Sequence, residues 1–196
     1  MDPSKCYYCV VSGSMSGKIA GYKYLLTYQY SSVIYDLTME FCQRFLPGRE
    51  LLRQRDQMTQ AARSGKQNIV EGYELQSLES YIKLLGVAKG SLKELLEDYE
   101  DFLRQRRVSL WPKNDSKMRG LRVLRVVGFP FPHIPQIPHI PHSPEHAANL
   151  MVMLCQRTTY LLEKQIMSLR EKFIKEGGFR ENLFRKRMDY KKNFSS

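Results

Sequence analysis

Between Tyr81 and Phe102, apolar residues stand at 81, 85, 88, 92, 95, 99 and 102. The steps alternate between four and three without a break, which is a heptad stripe. A stripe of that length needs a helix that packs along its whole length against other long helices. The rhythm returns in Met151, Cys155, Thr158, Leu162, Gln165 and Leu169, with two polar steps. Ile34, Leu37, Phe41 and Phe45 fit one helical face, and so do Met58, Ala62, Gly65 and Ile69. Four such segments in 196 residues predict an all-α protein, an up-down-up-down four-helix bundle. The seam is scaffold, so function is sought on the outside.

Punctuation residues set the boundaries. The stretch 1–21, rich in Ser and Gly, shows no helical period and reads as a loose leader. Residues 22–175 form the bundle, with helices predicted at 24–46, 50–74, 77–107 and 145–175. Pro47-Gly48 stops the first, Gly72 is placed to cap the second in the left-handed conformation, and Gly177-Gly178 ends the fourth. Ser77 is an N-cap for the third, with Glu79 in its first turn. Gly90 and Ser91, at mid-helix, are expected to let a neighbouring helix approach closely.

Residues 108–144 break the pattern. Prolines 132, 135, 138, 141 and 144 recur every third residue among His and Ile, a polyproline II rod. In an up-down bundle the third helix ends at the pole where the fourth begins, so a few residues suffice to join them. This proline-rich linker therefore reads as surplus to the fold. A basic suffix, 176–196, follows the fourth helix.

The net charge of +11 favours an acidic partner, with nucleic acid first. Three basic clusters carry it. The first is Arg44, Arg49, Arg53, Arg55, Arg63 and Lys66. The second is Arg104, Arg106, Arg107, Lys113, Lys117, Arg119, Arg122 and Arg125. The third is Arg180, Arg185, Lys186, Arg187, Lys191 and Lys192, interleaved with Phe179, Phe184, Tyr190 and Phe194. Such density suits phosphate binding, and aromatics among arginines can stack on unpaired bases. The bland alternative is a solvated face, with Phe179, Leu183 and Phe184 docked back on the bundle. A membrane partner is not expected: no helix reads as both strongly basic on one face and free of a packing role.

Catalytic groups do not converge in the sequence, so no enzyme, cofactor or metal is expected. Cys6-Tyr7-Tyr8-Cys9 is a lone CxxC without a second ligand pair. His133, His139 and His142 share the repeat's period and read as linker expansion. Glu71, Glu74 and Glu79 cluster at the turn between the second and third helices and read as caps. Phosphate loops, HExxH and nucleophile elbows are absent. With no secretory signal at its start, the chain reads as cytoplasmic, and Cys42 and Cys155 as reduced core thiols.

The run Ala61-Ala62-Arg63-Ser64-Gly65-Lys66-Gln67-Asn68-Ile69-Val70-Glu71-Gly72-Tyr73 resembles the helix-two signature of the bacterial four-helix-bundle proteins encoded in 23S ribosomal RNA intervening sequences. Val87 to Leu95 is similar to the family's helix-three pattern. The resemblance spans roughly 22–175, and the Glu-Gly-Gly-Phe-Arg turn at 176–180 looks like a longer subgroup with a suffix. Met15 opens the family-like stretch, which marks 1–14 as a candidate addition. The same superfamily includes Avd, the accessory protein of diversity-generating retroelements. The resemblance implies a homopentameric barrel with a basic surface and, for Avd, binding to a reverse transcriptase and its template RNA. It implies structural roles for Asn68, Glu71 and Gly72 at the turn between helices two and three. The alternatives are an intervening-sequence protein of unknown role and a protein-interaction scaffold without nucleic-acid binding.

Overall fold

The computed structural model describes residues 20–75, 77–112, 115–117 and 139–194. Regular structure among these residues is entirely helical. Helix α1 is Leu26–Phe45, after a 3-10 turn at Gly21–Tyr24; α2 is Leu52–Glu74, after a 3-10 turn at Arg49–Leu51; α3 is Leu78–Gln105; α4 is Pro144–Glu176; α5 is Phe179–Phe194. The first four lie within two residues of the expected bounds.

Helices α1 and α3 each pack on α2 and on α4, so the four make a bundle. Every member of the α3 stripe is buried, from Tyr81 to Phe102. Each such side chain contributes about 1.5–3 kcal/mol of apolar burial, which is why the stripe fixes the fold. Of the two polar steps on α4, Thr158 is buried and bonds the Leu154 carbonyl within its own helix. The other, Gln165, ties three helices together. Its Oε1 accepts from Thr27 Oγ1 of α1 at 2.8 Å, and its Nε2 donates to Tyr81 OH of α3 at 2.7 Å.

The two ends of the bundle differ. At the tyrosine pole, Tyr22 and Tyr73 meet edge to face, and Tyr73 meets Tyr81. At the opposite pole, Arg106 Nη2 donates to the Phe45 carbonyl at 2.7 Å, joining the ends of α3 and α1. Helix ends paired this way make the topology up-down-up-down.

Four expectations need correction. Gly72 is helical and needs no positive φ. A Cβ there would meet Tyr81 Cδ2 at 2.8 Å, so its smallness serves close packing on α3. Gly90 is exposed, with open space where a Cβ would stand, so the close approach falls instead at Gly65. The linker is not surplus at its ends. Trp111 is buried, its N–H donates to Asn149 Oδ1 at 2.8 Å and its indole Nε1 to Glu145 Oε1 at 2.6 Å. Ile140 is also buried; its N–H donates to Glu40 and its carbonyl accepts from Arg44. Finally, α5 is a helix whose described side chains are nowhere buried, so Phe179, Leu183 and Phe184 do not dock on the bundle. The repeat between 131 and 138 and the CxxC lie outside the described residues. Ser77 does cap α3, accepting from the Ser80 N–H, and Gly177 at φ 76° does end α4.

Candidate nucleic-acid interface

The antiparallel topology gathers residues that sequence order separates. Arg44 is in the last turn of α1, Arg49 opens the next 3-10 turn and Arg53 is in the first turn of α2. Arg104 is in the last turn of α3, with Arg106 and Arg107 just past it. All six sit at the pole where α1 and α3 end and α2 and α4 begin. Sequence clusters one and two thus converge on one arginine pole.

Their local surroundings divide them. Arg44 pairs with Glu40 at 2.8 Å and donates to the Ile140 carbonyl at 3.0 Å. Arg104 pairs with Asp101 at 2.8 Å, and Arg106 stacks its guanidinium 4.3 Å from the Phe102 ring centroid. Cations there also complement the negative ends of the α1 and α3 dipoles. These three hold the pole together. Arg49, Arg53 and Arg107 make no ion pair among the described residues. Arg107 adopts a φ of 55°, a left-handed conformation rare in a non-glycine residue.

Helix α2 begins at this pole with no side-chain cap and no acidic residue in its first turn. The 3-10 turn before it bonds the Leu51 and Leu52 N–H groups to the Gly48 and Arg49 carbonyls and carries Glu50, so the positive end of the α2 dipole is partly offset there. Placing Arg49 and Arg53 beside a positive helix end costs energy in the free protein. The same arrangement attracts an anion.

The remaining nominated residues lie elsewhere. Lys66 and Arg55 face α1: the Lys66 ammonium is 4.4 Å from the Tyr35 ring centroid, and Arg55 lies near Cys42. Burial pushes the Cys42 thiol up to about 11, against smaller lowering effects from Thr59 and Arg55, so it is an inert core thiol. Arg63 is exposed beside an open polar groove lined by Gln60, Ser64, Gln67, Asn68 and Glu71. Arg185, Lys186 and Arg187 are exposed on α5, which leaves α4 at the tyrosine pole. From the second cluster, Lys117 stands over the Trp111 ring at 5.0 Å, and Lys113, Arg119, Arg122 and Arg125 lie outside the described residues.

Of the signature residues, Asn68 donates to the Ser64 carbonyl one turn back, and Glu71 is exposed and accepts from Gln67. Gly72 packs closely on Tyr81 and Leu84 of the next helix. Groups of three side chains able to hold a metal are not found among the described residues. Among the same residues no helix is long and apolar enough to cross a membrane.

A family model described as 23S rRNA-intervening sequence protein matches residues 23–108, so that part of the chain is similar to it. The matched family segment covers α1 to α3 and stops where the linker begins. It contains all six residues of the arginine pole, whereas α4 and α5 lie outside it. No curated protein and no solved structure matches the chain.

Sequence reasoning missed two features. The lone Trp111, followed by Pro112, was the available signal for the anchored linker. The capless start of α2 was visible in Leu51 and Leu52, but its meaning depends on which helix ends share the pole.

Proposed function

We propose that the chain is a non-catalytic accessory protein that self-associates and binds RNA phosphates at the arginine pole. One observation carries this reading: the antiparallel topology gathers six arginines at one pole, and Arg49, Arg53 and Arg107 make no ion pair among the described residues, with Glu50 the acid between the first two. Phosphate contacts neutralise such a pole and release counterions. They bring little sequence preference, so base recognition falls to another component of the complex.

The family's name refers to 23S ribosomal RNA, which makes RNA the first polyanion to test. The resemblance to Avd extends the proposal to a homopentameric ring partnered with a retroelement reverse transcriptase and its template RNA.

The test compares two sets of charge reversals in filter binding to RNA. Arg49→Glu, Arg53→Glu and Arg107→Glu together are expected to abolish most binding. Arg63→Glu with Lys66→Glu, on the lateral faces, is expected to weaken it modestly. Equal losses from the two sets would refute the pole as the site and leave only a diffuse charge effect.

A further inference from the structure

Helix α4 passes Gln165, its last tie to both α1 and α3, and continues for about 16 Å to Glu176. Beyond Leu169 the described residues include none that is buried. The chain then turns at Gly177 into α5. This 16-residue helix exposes Phe179, Leu183, Phe184, Met188 and Tyr190, with six Lys and Arg against Glu181 and Asp189. Glu181 is already engaged, accepting from the Gly178 N–H at 3.0 Å.

The complementary surface is on α3. Its outer face, opposite the buried stripe, runs through Val87, Gly90, Lys93, Glu94, Glu97 and Asp101, with half-buried Asp98 on the side toward α2, and is bounded by Lys83 and by Arg104. Arg104 pairs with Asp101, while Glu94, Glu97 and Asp98 form no ion pair among the described residues. From α2, Gln57, Gln60, Ala61 and Ser64 line the groove beside Glu94 and Asp98, and Arg55 lies near Cys42 as Asp98 does. Gly86 and Gly90 have open space where side chains would stand, and Val87 is an exposed apolar contact between them.

We propose that α5 is an exchange arm, docking on the acidic outer face of α3 in a second copy of this chain. The fit rests on charge and on length. Arg180, Arg185, Lys186 and Arg187 meet the carboxylates of Glu94, Glu97 and Asp98, and α5 spans about 24 Å against about 22 Å from Gly86 to Asp101. The exposed apolar residues of α5 lie in two separate stripes, Phe179-Leu183-Tyr190 and Phe184-Met188. Immersion in a lipid surface needs one apolar face. A protein surface with a second contact, on the neighbouring bundle's flank, accommodates two. An arm on one copy and its receptor on the next make a head-to-tail contact, the type that closes rings. This deepens the self-association proposed above and rests on it.

The experiment is sedimentation equilibrium of the full chain at low salt. One variant reverses the receptor, Glu94→Lys, Glu97→Lys and Asp98→Lys; another reverses the arm, Arg185→Glu, Lys186→Glu and Arg187→Glu. Helicity is checked by circular dichroism; the arm variant changes only exposed residues, so it keeps the question open if the receptor variant misfolds. Each variant is expected to associate at least about tenfold more weakly, and an equimolar mixture is expected to recover association. Unchanged masses in both variants, with wild type associated, would overturn the arm and leave self-association standing. A wild type that stays monomeric would overturn both. A loss of RNA binding in the arm variant with unchanged mass would assign α5 to RNA instead.

Discussion

Gly65 of α2 lies so close to Leu92 of α3 that a Cβ on the glycine would stand 2.8 Å from Leu92 Cδ2 and 2.9 Å from its Cγ. Two turns on, Gly72 repeats the relationship with Tyr81. Beside Gly65, Ser91 donates to Ser64 across the same seam at 3.1 Å. Small residues on α2 therefore set the distance at which the α3 stripe is buried.

Gly65→Ala is expected to destabilise the chain by about 1–3 kcal/mol, because Leu92 has to leave its packed position. Gly90→Ala, at an exposed helical site with open space, is expected to stabilise it by about 1 kcal/mol. Urea unfolding of both variants checks the pair; the opposite signs would place the close approach on the wrong glycine.

The linker is expected to tolerate shortening only between its anchors. Replacing residues within 118–138 by a short Gly/Ser segment should change stability by less than about 1 kcal/mol, since loop closure depends weakly on length. Extending the replacement through Ile140 removes a buried side chain and should cost about 2–5 kcal/mol. Trp111→Ala should cost about 3–5 kcal/mol for the same reason. Thermal unfolding of the three variants distinguishes anchors from spacer.

Asp98 predicts a pH dependence. Burial, then the charges of Asp101, Glu94 and Glu97, raises its carboxyl from 3.8 to about 6. Between these values the folded chain keeps a proton that the unfolded chain releases, so stability falls as pH rises and the penalty is complete above about pH 6. Asp98→Asn should therefore stabilise the monomeric chain at pH 7.5 by about 1 kcal/mol, allowing for screening of a half-buried group. Below about pH 4 it should change little. Urea titrations at pH 3.5 and 7.5, at concentrations where the chain is monomeric, check the sign; equal effects at both would contradict it.

The bundle was legible because its signal is one-dimensional. Buried positions on α3 recur at steps of three and four, and no other information is needed to place them on one face. The roles of Gly72 and Gly90 were not legible. A helical glycine's purpose depends on what faces it, and only the packed partner helices separate Tyr81 at 2.8 Å from open solvent. The arginine pole was half legible. Each cluster stood out by composition, yet Arg53 and Arg107 are far apart in sequence and share a pole only because α2 and α3 run antiparallel. Lys66 and Arg55, grouped with them by sequence, turn toward α1 because their helical positions lie on another side of α2.

The central claim is that the arginine pole binds RNA through phosphates. The most direct measurement is the salt dependence of binding to a single-stranded RNA, for wild type and for the Arg49→Glu, Arg53→Glu, Arg107→Glu variant. Each phosphate contact contributes about 0.7 to the slope of log K against log salt. Three lost contacts are expected to flatten the slope by about 2 for each subunit that touches the RNA. An unchanged slope, or a wild-type protein that binds no RNA at low salt, would contradict the account.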